Sequence, residues 1–173
     1  PLTISSHRQP ELFSIMPGDG SAAAYDQEIT TPYYYSVRFD NSLRRTEFSP
    51  TERCGYFRFS FQKGKASVVL GNRQEGSLEK ADGGAVAGQE SIDGLTAYIY
   101  GEFSSPVEVK AGNVGKKGRL IVTAQANTLE FRYGVSFISI EQARRNLGRE
   151  IPEWGFDRVR DAAKARWNET LGR

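Results

Sequence analysis

The stretch GYFRFSF, residues Gly55–Phe61, alternates strictly. Phe57, Phe59 and Phe61 fall on one face of an extended chain, and Tyr56, Arg58 and Ser60 on the other. This period of two predicts a strand with its phenylalanines turned into a core. The same period recurs on both sides. In YYYSVRF (33–39) one face carries Tyr33, Tyr35, Val37 and Phe39, and the other Tyr34, Ser36 and Arg38. The segment DNS (40–42) reads as a turn into a second strand, LRRTEFS (43–49). After the turn QKGK come ASVVLG (66–71) and then LTAYIYGEF (95–103), PVEVKA (106–111), RLIVTA (119–124) and TLEFRYGVSFIS (128–139). About nine strands with short connections predict a sandwich of antiparallel sheets. The first 32 residues, punctuated by Pro10, Pro17 and Pro32, read as irregular. The Gly-rich EKADGGAVAGQES (79–91) reads as a loop or a pair of weak edge strands.

The pattern changes at Ser139. Ser139 followed by Gln142 fits a capping box, opening a helix IEQARRNL that Gly148 is expected to close, with Pro152 beyond it. Asp157 is placed to cap a second helix of about 14 residues. Its apolar stripe would be Val159, Ala163 and Trp167, with Ala162 and Leu171 beside them. Such a helix needs a surface to lie on. The expected organisation is therefore a β-sandwich domain over 1–139 and a helical linker over 140–173.

Composition narrows the function. Twenty-three Lys and Arg against 21 Asp and Glu give a formal charge of +2 over 173 residues, too even for nucleic acid or an anionic membrane as main partner. No apolar run approaches the roughly 20 residues of a membrane span. One Cys (Cys54) and one His (His7) exclude an internal disulfide and an ordinary zinc site. The chain starts at Pro1 without an initiator Met, as a trimmed or processed sequence would. There is no G-x-S-x-G nucleophile turn. GNVGKKGR (112–119) lacks the first Gly of a phosphate loop and has Lys117 in place of Ser or Thr, so it reads as a hairpin loop. The Asp-Gly pairs at Asp19, Asp82 and Asp93 read as turns rather than calcium loops, and the sequon at Asn168 lies in a predicted helix. Tyr33, Tyr34 and Tyr35 suit packing between sheets, or a flat face for a sugar ring.

Five segments together resemble a known family: FSIMP (13–17), TPYYYSV (31–37), PTERCGYFRFSF (50–61), SFISIEQARRNL (136–147) and FDRVRDAAKARWNETLGR (156–173). In this order they are similar to the N-terminal domain of glycoside hydrolase family 92, calcium-dependent exo-acting α-mannosidases. The resemblance implies a supersandwich-like antiparallel β-sandwich and a helical linker, leading to an (α/α)6 catalytic barrel that is absent here. Trp154, Val159 and Trp167 would then pack at the junction. It also implies an inverting mechanism on terminal α-linked mannose, with a Glu acid, an Asp-based base and calcium all in the barrel. No catalytic or metal-binding residue is therefore assigned to this chain. The partners implied are a mannose-containing glycan and the barrel, and the place of action is secreted, periplasmic or cell-surface. The family's pocket motif resembles T-H-Q-P followed by a Trp and an Asp-Tyr-Gly. This chain has SHRQP, then runs directly into ELFSIMP. Gln9 and Pro10 match and His7 is displaced by one, so His7 and Gln9 are the substrate-binding candidates. A free-standing lectin-like module and a non-enzymatic scaffold are the alternative readings.

Overall fold

The computed structural model describes residues 2–3, 12–21, 23–39, 44–62 and 65–171. Their strands form one hydrogen-bonded path made of two antiparallel limbs. The first limb joins β1 (Leu2–Thr3), β2 (Ser14–Pro17), β7 (Ala66–Gly71), β12 (Lys117–Ala124) and β11 (Glu108–Val114). The second runs through β8 (Glu75–Lys80), β9 (Val86–Ile92), β10 (Leu95–Phe103), β13 (Thr128–Ser136), β6 (Cys54–Ser60), β5 (Arg44–Pro50), β4 (Tyr34–Phe39) and β3 (Tyr25–Thr31). The limbs meet at a single parallel pair, Lys117 with Gly76. The architecture is thus a mainly β sandwich, not a closed barrel, folded back on itself along that seam.

The two limbs share one core. Ile15, Val68, Leu70, Leu120 and Val122 from the first pack with Phe57, Phe59, Ile99, Leu129 and Phe131 from the second. Burial on this scale, at roughly 25 cal/mol per Å² of apolar surface, is what holds two pleated faces together. Phe57 stacks on Phe59 with centroids 5.4 Å apart, and Phe103 on Phe131 at 4.7 Å. The alternation in Gly55–Phe61 therefore identifies the inner face correctly, although Phe61 is only partly buried.

The outer face of the same strand is not solvent-facing. Tyr56 has no exposed surface. It lies in a second core, with Cys54, Ala87 and Tyr100 beneath α1 (Ile140–Glu150) and α2 (Phe156–Leu171). Helices cover the back of the sheet, so β6 is buried on both sides. Alternation alone does not reveal that, because the covering elements lie 80 residues or more downstream.

Four other expectations change. The opening segment is not wholly irregular, since β2 and β3 lie within it. The Gly-rich 79–91 segment contributes β8 and β9, which are interior strands, because glycine is needed at close crossings. A Cβ at Gly88 would strike the Ser77 carbonyl, and one at Gly76 the Gln89 carbonyl. Gly148 does not end α1, which continues to Glu150, and α2 has 16 residues starting at Phe156, so Asp157 sits in its first turn. The turn at 40–42 lies outside the described residues. The hairpin at 115–116 between β11 and β12 and the turn at Asp93–Gly94, both with positive φ, form as read from the sequence.

Candidate functional site

Two features stand out beyond the core: the platform that receives the helices and the cleft beside it. α1 starts where Ser139 Oγ accepts the Gln142 backbone N–H at 3.0 Å. The Gln142 side chain does not close the box but donates to Asn146 Oδ1 at 2.9 Å, and Asn146 in turn donates to the Val135 carbonyl. Gly134 lets α1 lie directly on β13, because an added Cβ would fall on the Ala143 carbonyl oxygen. The β5–β6 turn is tied to the end of α1: Thr51 Oγ1 donates to Glu150 at 2.5 Å and the Arg53 N–H to the same oxygen at 3.0 Å.

α2 is fixed by its first turns. Phe156 and Val159 are buried, and Phe156 sits edge-on to Tyr56 and Tyr34. Arg58 lies over the Phe156 ring at 4.4 Å. It grips Glu47 with two bonds, 2.7 and 3.0 Å, and reaches Asp157 at 2.9 Å. Tyr34 donates to Glu47 at 2.8 Å. Burial of Glu47 pushes its carboxyl upward, but the bonds from Arg58 and Tyr34 and the charges of Arg58 and Arg45 outweigh this and hold it below the usual carboxylate range. Asp157 is likewise held low, chiefly by its bond from Arg58. Between the helices, Tyr56 Oη donates to Glu130 at 2.6 Å and accepts the Gly155 N–H at 2.9 Å. Arg132 pairs with Glu102 at 2.7 Å, donates to the Ile151 carbonyl at 2.9 Å and lies 4.3 Å from the Trp154 ring.

These carboxylates are therefore committed to arginine and tyrosine partners that hold helices on a sheet. Glu47, Glu102, Glu130, Glu150 and Asp157 each have such a bond. Cys54 is buried, and burial together with the nearby Glu150 charge pushes its thiol up to about 12, so it is no nucleophile at neutral pH. Among the described residues no three His, Cys, Asp or Glu side chains come together to hold a metal ion.

His7 and Gln9 lie outside the described residues. Tyr34 points to the helices rather than offering a free sugar face: Arg160 lies over its ring at 6.0 Å. Sequence reasoning missed Glu90, which is fully buried. Its carboxylate accepts the Phe13 N–H at 2.7 Å, the Gln74 N–H and the Asn72 side-chain amide. It fastens the segment before β2 to the β7–β8 connection. The only available signal was an acid inside a run of small residues.

Trp154 and Trp167 are not sealed by this chain; Trp167 keeps 39% of its surface exposed. Beyond Val159 the helix stands away from the sheet, leaving an open cleft of about 820 Å³ between α2, the end of α1 and the β5–β6 turn.

The class defined here is a mainly β sandwich backed by two C-terminal helices. The sequence model of the glycosyl hydrolase family 92 N-terminal domain matches residues 9–142. The chain belongs to that family, as its N-terminal domain. A family 92 inverting mannosidase from Bacteroides thetaiotaomicron is 27% identical with a TM-score of 0.82, matching 94% of this chain and 27% of its own. A second family 92 glycosyl hydrolase is 21% identical, with a TM-score of 0.77 over 93% of this chain and 28% of its own; this likeness speaks for the fold alone. A protein of Arthroderma benhamiae described as an uncharacterized secreted glycosidase is 25% identical over 85% of this chain and 25% of its own length. The chain thus spans about a quarter of the relatives it matches.

Proposed function

We propose that this domain is part of an exo-acting α-mannosidase that removes terminal α-linked mannose from glycans, N-glycans included, with inversion at the anomeric carbon. The observation that carries the reading is the likeness to an inverting mannosidase across nearly the whole chain, together with family membership. Inversion requires an acid and a base about 6.5–9.5 Å apart, with a water between base and sugar. Family membership is what supports placing that pair in a catalytic barrel following this domain, where calcium would also bind. The boundary between sandwich and linker is placed at 139/140. The domain would support the barrel and line part of the pocket through His7 and Gln9. A secreted, periplasmic or surface location is supported by the description of the Arthroderma relative, and no helix among the described residues is long and apolar enough to cross a membrane.

The test uses the full-length polypeptide that contains this chain. Incubated with an aryl α-mannoside, it should release β-mannose as the first-formed anomer by NMR, and a chelator should stop turnover. First-formed α-mannose, or no release, overturns the reading. Mannose binding without turnover would favour the lectin-like module. Gln9→Ala should raise KM about tenfold, the worth of a lost hydrogen bond or two.

A further inference from the structure

β3 and β4 form the free margin of the second limb, and their inner face carries aromatic rings that the helix platform does not use. Tyr35 lies opposite Phe48, which packs on the shared core, so Tyr35 faces away from Tyr34 and the helices. Tyr25 lies opposite Phe39 on that same face and meets its ring edge-on at 6.5 Å. Phe39 and Val37 are buried, whereas Tyr25 keeps 56% of its surface exposed. The Tyr25 ring is thus held on a fixed apolar bed and open to solvent. The β3–β4 ladder slips between Asp26 and Ile29, where Gln27 has φ of +50°, a left-handed conformation uncommon outside glycine. This bulge shifts the alternation by one residue. Ile29 pairs with Ser36 and Thr30 with Tyr35, so Ile29 is turned to the outer face and Glu28 falls beside the tyrosines. Glu28 accepts the Tyr35 hydroxyl. Burial, then this bond and the charges of Glu28 and Tyr25, push that hydroxyl above the usual phenol range.

A rigidly mounted, exposed ring beside a fixed carboxylate is the chemistry that holds a sugar. The ring takes the apolar C–H side of a pyranose, and the carboxylate accepts from its hydroxyls. We propose that the β3–β4 margin binds an internal hexopyranose residue of a glycan chain, stacked on Tyr25 with a hydroxyl donating to Glu28. Tyr35 is a positioning residue that holds the carboxylate. The sugar is an internal one because an open strand edge leaves both of its linkages free to continue. A protein partner does not match this surface. A standard interface takes roughly 20–30 residues a side, whereas the two large apolar side chains exposed on β3, Tyr25 and Ile29, lie on opposite faces. The bulge also interrupts the edge on which a second copy's strand would pair. The choice of a glycan rests on the proposed function, but binding at this margin does not depend on turnover.

Calorimetric titration of the full-length protein with a thio-linked α-mannose trisaccharide, which is not cleaved, tests this without turnover. Tyr25→Ala should weaken binding about tenfold, the worth of one stacked ring. Tyr25→Phe, which keeps the ring, should bind as wild type does, and Glu28→Gln should bind about threefold more weakly. Lys110→Glu on β11 should change nothing. Methyl α-thiomannoside, a single sugar, should bind Tyr25→Ala and wild type alike. Unaltered trisaccharide binding in Tyr25→Ala overturns the proposal. Equal weakening for the single sugar does so too, since the ring would then hold a terminal residue. A dimer that becomes a monomer in Tyr25→Ala, read by light scattering, would make the margin an interface between copies and overturns it equally. So does a thermal midpoint several degrees lower with affinity unchanged, which would mean that the rest of the polypeptide covers β3. A protein that binds the trisaccharide through Tyr25 but releases no mannose sinks the functional reading and leaves this one standing. A mannosidase indifferent to Tyr25→Ala does the reverse.

Discussion

Glu90 shows how much one residue can organise. It is a fully buried carboxylate whose bonds come from two backbone N–H groups and an amide rather than from a cation. Phe13, one of its donors, has φ of +42°, a left-handed conformation that a bulky residue adopts only when its surroundings impose it. Glu90→Ala would leave the buried Phe13 N–H and the part-buried Gln74 N–H without acceptors. It should cost about 3 kcal/mol or more, since bonds to charged groups are each worth about 1.5–3. Urea unfolding should show the loss as a lower midpoint with an unchanged slope, and a shift below about 1 kcal/mol would mean that water replaces the carboxylate. Glu47 carries a pH signature instead. Its carboxyl is held below the usual range, so its contribution is present above the unfolded-state pKa and is lost as pH falls through the lower folded value. Glu47→Gln should therefore be less stable than wild type at neutral pH, and the gap should close below about pH 4, near the unfolded value for Glu. Thermal melts across that range decide it, and a gap that widens on acidification contradicts the assignment.

At the level of elements, the helices and the sheet are fitted backbone to backbone. Gly134 in β13 lies under α1 so closely that a methyl would meet the Ala143 carbonyl and the Leu147 nitrogen. Gly134→Ala should lift α1 and cost about 3 kcal/mol, the upper end of the roughly 1–3 typical of overpacking, because backbone cannot rotate away as a side chain does. Far-UV circular dichroism during thermal unfolding should register the lower midpoint, and a neutral outcome would show that α1 can slide. α2 differs from α1. Two buried residues and the Arg58 clamp secure its start, while its later turns are exposed and tied to the β5–β6 turn through the Arg166–Glu52 pair. The stripe of Val159, Ala163 and Trp167 read from the sequence is real, but this chain covers only its first member fully. Trp167→Ala should consequently shift the thermal midpoint of the sandwich little, and a large drop would show that α2 is part of its core.

The whole molecule turns on the seam where β12 meets β8. One ladder pair joins the limbs, supported by the Gly76 N–H to Lys116 carbonyl bond at 3.1 Å and by the Asn72 side chain, which accepts the Gly118 N–H at 2.9 Å and donates to the Gln89 carbonyl at 3.2 Å. A side chain at Gly118 would collide with the Leu78 nitrogen and Asn72 Oδ1. Gly118→Val should open the fold-back and expose the shared core, detected as dye binding to apolar surface and loss of near-UV circular dichroism; retained tertiary signal would show the seam to be dispensable. None of this was legible locally. Gly88 and Gly118 looked like loop residues, because glycine at a close crossing and glycine in a turn are the same letter, and only the partner strand tells them apart. The inner face of β6 could be read from residues 55–61 because period-two alternation is a property of neighbours along the chain. The start of α1 was equally local, since Ser139 caps a turn three residues long. Family membership was legible too, through words spread from Phe13 to Arg173. The burial of Tyr56, the tethering of Phe13 by Glu90 and the cleft beside Trp167 were decided by tertiary structure alone. Each depends on groups that sequence separates by tens of residues, and pairing across such distances is settled by which faces bury the most surface, not by local preference.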